Sequence, residues 1–293
     1  MHRYVLHNDE ILDAHAMHAC FGQTGLMNGW GVFSTLRIAN GVLFAYERHW
    51  ARMRHDAQRL RVPFPTDPED LKSRLHKIIE ANDAADATLR VVVIRNHGGP
   101  FEGPGITRDY DIVAFTTDLA DWSDNVRLAL KPQARHAQCE FAGAKVMSWA
   151  FNLAWYEEAH EKGFDEVLLL NERGEVSECT SANIFAANGG TVFTPPLTSG
   201  CLPGVTRELL LEDVRVPGIT VEERSLMPAD LEAADEVFIT SSTRDLLSVQ
   251  TIEGLKISTS GVIMEKLRQA LVDYREFYVH DHVRRTEAVY NRG

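Results

Sequence analysis

Lys145 stands in FAGAKVMSWAF (Phe141–Phe151), apolar on both sides, in a chain with seven lysines among its 30 basic residues. Desolvation in such surroundings destabilises an ammonium group and lowers its pKa from about 10.4. A neutral amine is a nucleophile that forms a Schiff base with a carbonyl. The same context also fits a lysine snorkelling from the end of a buried segment. Two stretches could hold an anion. In LPGVTRELLLED (Leu202–Asp213), Pro-Gly precedes a helix whose first turn carries Thr206, and free N–H groups at a helix start attract negative charge. In ITSSTRDLL (Ile239–Leu247), a strand runs into the hydroxyls of Thr240–Thr243. Each also reads as an ordinary Ser/Thr cap. Glu178, in VSECTSANIF, is a carboxylate among small and apolar neighbours, which calls for a cationic or protonated partner. A glutamate on the surface of an edge strand would show the same alternation. The lysine and the two anion stretches together begin to describe a place for a phosphate-bearing aldehyde.

Other chemistries lack their residues. No GxGxxG follows a strand, and GxxxxGK[ST], HExxH and GxSxG are absent. His15 and His18 are three apart, as are His49 and Arg52, without further ligands, so no metal site is expected. Cys20, Cys139, Cys179 and Cys201 form neither a metal knuckle nor a redox pair and read as free thiols of a reducing compartment. The 293 residues carry a formal net charge of -12, which disfavours nucleic acid and anionic membranes as partners but leaves room for a local basic pocket. The N-terminal MHRYVLHNDE has no apolar signal core, and runs such as Val91–Ile94 and Val167–Leu170 are too short to span a bilayer. A soluble cytoplasmic protein is expected.

These residues need elements to position them. Arg3–His7 and Glu10–Leu12 flank an Asn8-Asp9 turn. Gly31–Ile38 and Val42–Ala45 flank Asn40-Gly41, a hairpin signal because both residues tolerate positive φ. Glu47–Leu60 reads as a helix with a Trp50, Met53, Ala57, Leu60 stripe, which leaves Arg52 facing solvent. Glu69–Asn82 is a second helix, with Leu71, Leu75, Ile78 and Ile79 on one side. Leu89–Arg95 and Asp111–Thr116 are strands around a Gly/Pro-rich loop at His97–Gly105. Strands follow at Val126–Leu130, Glu166–Leu170, Glu175–Glu178, Asn183–Ala187, Thr191–Thr194, Ile219–Glu222 and Glu236–Thr240. Helices are expected at Ser148–Lys162, Val205–Asp213, from Pro228 and over Gly261–Phe277. Helices and strands mix without strict alternation, which gives an α+β class. The expected domains are 1–117 and 126–293, joined by a polar linker at 118–125.

The motifs resemble the class IV aminotransferases, the fold-type IV pyridoxal-phosphate enzymes, over most of the chain. The family includes branched-chain and D-amino acid aminotransferases and 4-amino-4-deoxychorismate lyases. The resemblance runs through GWGVFSTLR (Gly29–Arg37), ERHWARM (Glu47–Met53), Lys145, Asn152 and GFDEVLLLNERGEVSECTSANIF (Gly163–Phe185). It continues in TPPLTSGCLPGVTR (Thr194–Arg207) and DEVFITSSTRDLLSV (Asp235–Val249). It implies a small N-terminal α/β domain and a larger C-terminal domain with a barrel-like β core. It also implies that Lys145 forms an aldimine with pyridoxal 5′-phosphate, that Glu178 meets the pyridine nitrogen and that Arg52 binds the phosphate. Val205, Thr206, Ser241 and Ser242 would add phosphate contacts, and Leu202 would pack on the ring. Phe33, Thr35, Arg37 and Thr243 would face the substrate.

The expected reaction moves an amino group between an amino donor and a 2-oxo acid, in a homodimer. Two alternatives share the residues: a lyase releasing pyruvate from aminodeoxychorismate, and a non-catalytic cofactor-binding protein. Ala150 stands where branched-chain enzymes usually carry tyrosine, and ECTSANIF is closer to the lyases than to EGTGENIF. Trp30 and Ser34 replace acidic residues of GDGVFET, and Thr35 stands where lyases tend to carry threonine.

Overall fold

A computed structural model describes residues 1–20, 22–99, 102–103 and 106–290. Positions 100, 101, 104 and 105 of the loop expected at His97–Gly105 lie outside the described residues. The chain divides into two compact units. One holds Met1–Ala120, Lys145–Trp149 and Glu276–Gly293, and the other holds Asp121–Ala144 and Ala150–Arg275. Lys145–Trp149 and the chain from Glu276 onward therefore pack with the first unit, although both lie within the stretch 126–293.

The first unit contains β1 (Tyr4–His7), β2 (Glu10–Asp13), α1 (Thr24–Asn28), β3 (Gly31–Ala39), β4 (Val42–Leu43), α2 (Tyr46–Arg59), α3 (Pro68–Ala81), β5 (Ala87–Arg95) and β6 (Tyr110–Thr117). Its six strands form one sheet in the order β2-β1-β6-β5-β3-β4. The β3–β4 hairpin turns at Asn40 and Gly41, with φ of 48° and 75°. α3 is fully specified locally. Asp67 caps it by accepting the Glu69 N–H at 2.9 Å, Pro68 opens it, and Leu71, Leu75, Ile78 and Ile79 are its buried face. Strand alternation puts Val32, Ser34, Leu36 and Ile38 on one face of β3 and Phe33, Thr35 and Arg37 on the other. Val32, Leu36 and Ile38 join Met53 and Ala57 of α2 and Leu71, Leu75 and Ile78 of α3 in the core.

The second unit contains β7 (Asn125–Arg135), α4 (Ala150–Glu161), β8 (Glu166–Asn171), β9 (Val176–Cys179), β10 (Asn183–Asn188), β11 (Thr191–Thr194), α5 (Val205–Glu212), β12 (Thr220–Glu223), α6 (Pro228–Glu232), β13 (Glu236–Ser241) and β14 (Asp245–Ile252). These eight strands make a curled, half-barrel sheet in the order β12-β11-β10-β13-β14-β7-β8-β9. Its core is Leu128, Leu168, Val176, Ile184, Val237, Ile239 and Val249, and Phe185 stacks on Phe238 at 5.2 Å. The expected mixed α+β class with a barrel-like sheet is the one found. The last helix, α7 (Val262–Tyr290), runs past the expected end at Phe277.

One local expectation is corrected. β14 is a strand beyond those expected from the sequence. The apolar opening turns of α4 are not buried within their unit: Phe151 is 77% and Leu153 is 53% exposed. Only Asn152 and Ala159 of α4 are buried, because the helix meets β8 through that narrow face.

Candidate active site

Lys145 is held by its backbone in the first unit. The Phe33 N–H donates to the Lys145 carbonyl at 3.2 Å, and the Met147 N–H donates to the Gly31 carbonyl at 3.0 Å. Val32 and Val146 thus form an isolated antiparallel bridge, which holds residues 145–147 against β3. A side chain at Gly31 would drive its Cβ into Met147 Sδ and bring it 2.5 Å from the Val93 carbonyl, so only glycine permits this approach. The Lys145 N–H donates to Asp56 Oδ2 of α2 at 3.0 Å. The amine lies over the Phe33 ring, 4.6 Å from its centre. The side chain is half-buried, not enclosed as its apolar neighbours suggest, because Phe141 and Ser148 are themselves exposed.

Arg52 is buried, which corrects the solvent-facing reading of the α2 stripe. His49, Arg52 and Asp56 recur three and four apart, so they share one face of α2 beside the apolar one, and all three are buried. Ser34 of β3 meets them: its Oγ accepts from Arg52 Nη2 at 2.8 Å and lies 2.7 Å from His49 Nδ1. Burial, with the charges of Arg52 and Lys145, holds His49 well below its ordinary pKa, so the imidazole is neutral. Burial raises the Asp56 carboxyl, opposed by the Lys145 N–H and the Arg52 charge. Thr35 and Arg37 are half-buried on the Phe33 face of β3. Arg90 of β5 also lies over the Phe33 ring, at 4.0 Å, and burial lowers its guanidinium pKa.

Glu178 belongs to the second unit. It sits on the edge strand β9 yet is only 8% exposed, so it is not a surface glutamate. Its Oε1 accepts from Arg135 Nε at 2.9 Å, and its Oε2 accepts from the Leu202 N–H at 3.0 Å. Arg135 Nη2 also donates to Asn152 Oδ1 at 3.2 Å, and Asn152 Nδ2 donates to the Thr180 carbonyl at 3.0 Å. The cation that Glu178 required is Arg135, a residue that the motifs do not single out. The expected strand ended at Leu130, but β7 runs on through an irregularity between Lys131 and Arg135, with Gln133 at φ 53°, and so delivers Arg135.

The two anion stretches fall in the same unit as Glu178. α5 begins at Val205 and Thr206, both buried, and no side chain caps it. Its N-cap is Gly204, where a Cβ would collide with Asn183 Oδ1. Asn183 Nδ2 in turn donates to the Leu202 carbonyl at 2.9 Å, which fixes the approach to the helix. Ser242, Thr243 and Arg244 form the turn between β13 and β14, where Ser241 pairs with Asp245. Ser241 Oγ accepts from the Arg244 N–H at 3.2 Å, and the Thr240 hydroxyl is buried without a partner among the described residues.

Phe33, Arg52 and Lys145 are thus gathered in one unit. Glu178 and Leu202 meet in the other, which also carries Val205, Thr206 and the Ser241–Thr243 turn. Ser34, His49, Asp56, Arg90 and Arg135 are additions from the structure. Among the described residues, all four cysteines are free thiols, with Cys179 and Cys201 buried, and no helix is long and apolar enough to cross a membrane.

Comparison with known proteins places this arrangement. Residues 31–252 match the family description "Amino-transferase class IV". A D-alanine aminotransferase of Bacillus licheniformis is 27% identical over 273 residues, which cover 91% of this chain and 95% of that one. A branched-chain amino acid aminotransferase of Escherichia coli superposes with a TM-score of 0.85 at 23% identity, covering 94% of this chain and 95% of that one. A Legionella pneumophila chain described as a candidate 4-amino-4-deoxychorismate lyase superposes with a TM-score of 0.81 at 22% identity, covering 89% and 96%. The match extends over most of both units, and the chain belongs to the class IV aminotransferase family.

Proposed function

We propose that this protein binds pyridoxal 5′-phosphate through Lys145 and transfers an amino group between an amino donor and a 2-oxo acid. The observation that carries the reading is Glu178. A carboxylate accepts about four hydrogen bonds, and among the described residues Glu178 receives two, from Arg135 and Leu202. A nearly buried carboxylate with acceptor capacity left suits a protonated ring nitrogen, because the opposite charge favours the proton.

The remaining donors suit a phosphate. Buried Arg52 brings a permanent charge, the uncapped start of α5 brings N–H groups, and the β13–β14 turn brings the hydroxyls of Ser241 and Ser242. Leu202 would pack on the ring. The cofactor supplies an aldehyde for attachment and a ring that takes up an electron pair. Lys145 Nζ moves the proton that leaves the substrate Cα, and Glu178 keeps the ring nitrogen protonated. Phe33, Thr35, Arg37 and Thr243 face the substrate. A homodimer is part of the proposal, supported by the exposed Phe151 and Leu153 of α4, with Phe151 stacked on Trp155 at 6.3 Å. Sedimentation of an active monomer at micromolar concentration would overturn that part.

A lyase reaction on the same residues is the second reading, favoured by Thr35, ECTSANIF and the likeness to the Legionella chain. A half-reaction decides. With a transaminase, an amino donor converts the absorbance of the loaded protein from the aldehyde to the amine form, and a 2-oxo acid restores it. A lyase releases pyruvate from aminodeoxychorismate with no acceptor, and a non-catalytic binder does neither.

A further inference from the structure

The second unit contains a buried ion pair that the proposed chemistry does not use. Glu166 opens β8 and is 1% exposed, and the Arg244 side chain is 7% exposed. Arg244 Nη1 donates to Glu166 Oε2 at 3.2 Å and to Ser181 Oγ at 2.7 Å. The Ser181 hydroxyl donates to Glu166 Oε2, the Thr180 hydroxyl donates to Oε1, and the Val167 N–H donates to Oε1 at 2.9 Å. The guanidinium lies over the Trp122 ring, 4.2 Å from its centre. This one network ties two turns together. Thr180 and Ser181 follow Glu178 by two and three residues. Arg244 closes the Ser242–Arg244 turn, and its N–H returns to Ser241 Oγ. The far side of that turn is pinned where Arg275 Nη1 donates to Asp245 Oδ1 at 2.7 Å. Burying a charged side chain in a turn of three residues is costly unless the charge is paired, and a short turn closes without it; here Nη1 carries both side-chain bonds, while the buried Nε has no partner among the described residues.

We infer that Glu166 and Arg244 are positioning residues. They hold the Ser241–Thr243 turn in register with the segment carrying Glu178 and so set how tightly that turn grips a phosphate. The inference rests on the reading of Ser241 and Ser242 as phosphate contacts.

The test titrates the protein with pyridoxal 5′-phosphate and, separately, with pyridoxal, which lacks the phosphate, following the absorbance of the bound aldehyde. The quantity read is the ratio of the two dissociation constants. General loosening of the fold weakens both ligands, whereas a misplaced phosphate turn weakens only the first. Arg244→Met is expected to lower the preference for the phosphorylated ligand by about tenfold, with Arg244→Lys restoring part of it. Ser242→Ala tests the underlying reading. If Ser242→Ala lowers the preference and Arg244→Met does not, the positioning role is wrong and the phosphate reading survives. If neither variant changes it, both are wrong. Should Arg244→Met fail to fold, Ser181→Ala removes the shared hydroxyl while keeping both charges. It is expected to lower the preference by about threefold, and an unchanged preference there overturns the inference.

Discussion

Glu178–Arg135 and Glu166–Arg244 are both carboxylate–guanidinium pairs of the second unit, at 2.9 and 3.2 Å, and both glutamates are buried. They differ in how much of the carboxylate is occupied. Glu166 receives four donors, from Val167, Thr180, Ser181 and Arg244, which matches its capacity. Glu178 receives two. A saturated buried carboxylate fixes the backbone that carries it, and an unsaturated one has room for a ligand. Burial alone does not separate a structural glutamate from a functional one. We propose that the donor count does.

The largest expected effect lies in the first unit. Lys145→Ala should lower turnover by at least about 10³-fold and abolish the absorbance of bound aldehyde. Lys131→Ala should do neither, because Lys131 is occupied with Glu158 at 3.0 Å. Borohydride reduction followed by peptide mapping checks this, and a label on Lys131 or Lys162 would contradict the assignment. Next is the saturated pair. Glu166→Gln leaves a buried guanidinium without its counter-charge and should cost about 3–5 kcal/mol in urea unfolding. A loss below about 1 kcal/mol would make this an ordinary surface-like pair.

Arg52→Ala should weaken cofactor binding by about 1.5–3 kcal/mol, the value of a charge-assisted hydrogen bond. Arg54→Ala should change it little, since Arg54 is exposed and lies over the Trp50 ring at 5.2 Å. Equal dissociation constants for the two variants would contradict the placement. The smallest effect concerns His49. It is held below 6.5 in the folded chain, so the unfolded chain binds more protons below that pH. Stability should therefore fall as pH drops below 6.5, by up to about 1.4 kcal/mol per pH unit from this group. The raised Asp56 carboxyl works in the opposite direction, nearer its ordinary value of 3.8. His49→Gln should flatten the stability curve between about pH 5 and 6.5, and an unchanged slope would contradict the shift.

The legible parts of the fold were those where local and tertiary preferences agree. α3 carries its cap, its Pro68 and its apolar stripe in one stretch, and the Asn40-Gly41 hairpin is set by two residues that accept positive φ. α2 was half legible: its apolar stripe is buried, but so are His49, Arg52 and Asp56, because Ser34 on β3 offers the first two a polar partner, and the Lys145 N–H offers Asp56 one, that no periodicity reveals. Arg135 was missed because the expected strand stopped at Leu130, whereas β7 continues past an irregularity between Lys131 and Arg135. The apolar opening turns of α4, by contrast, face away from the core of their own unit. The motifs around Lys145 and Glu178 were readable as chemistry. Their supporting partners come from distant sequence positions and were not.

The comparison of the two glutamates is tested most directly by Glu178→Gln, measured in single turnover and normalised to bound cofactor. The substitution keeps the shape and removes the charge. If Glu178 serves the ring nitrogen, the rate of substrate deprotonation should fall by about 10²-fold or more, while the aldehyde still binds and the melting temperature drops less than in Glu166→Gln. An unchanged rate with a melting temperature lowered as much as in Glu166→Gln would show that both pairs are structural and that the donor count does not distinguish them.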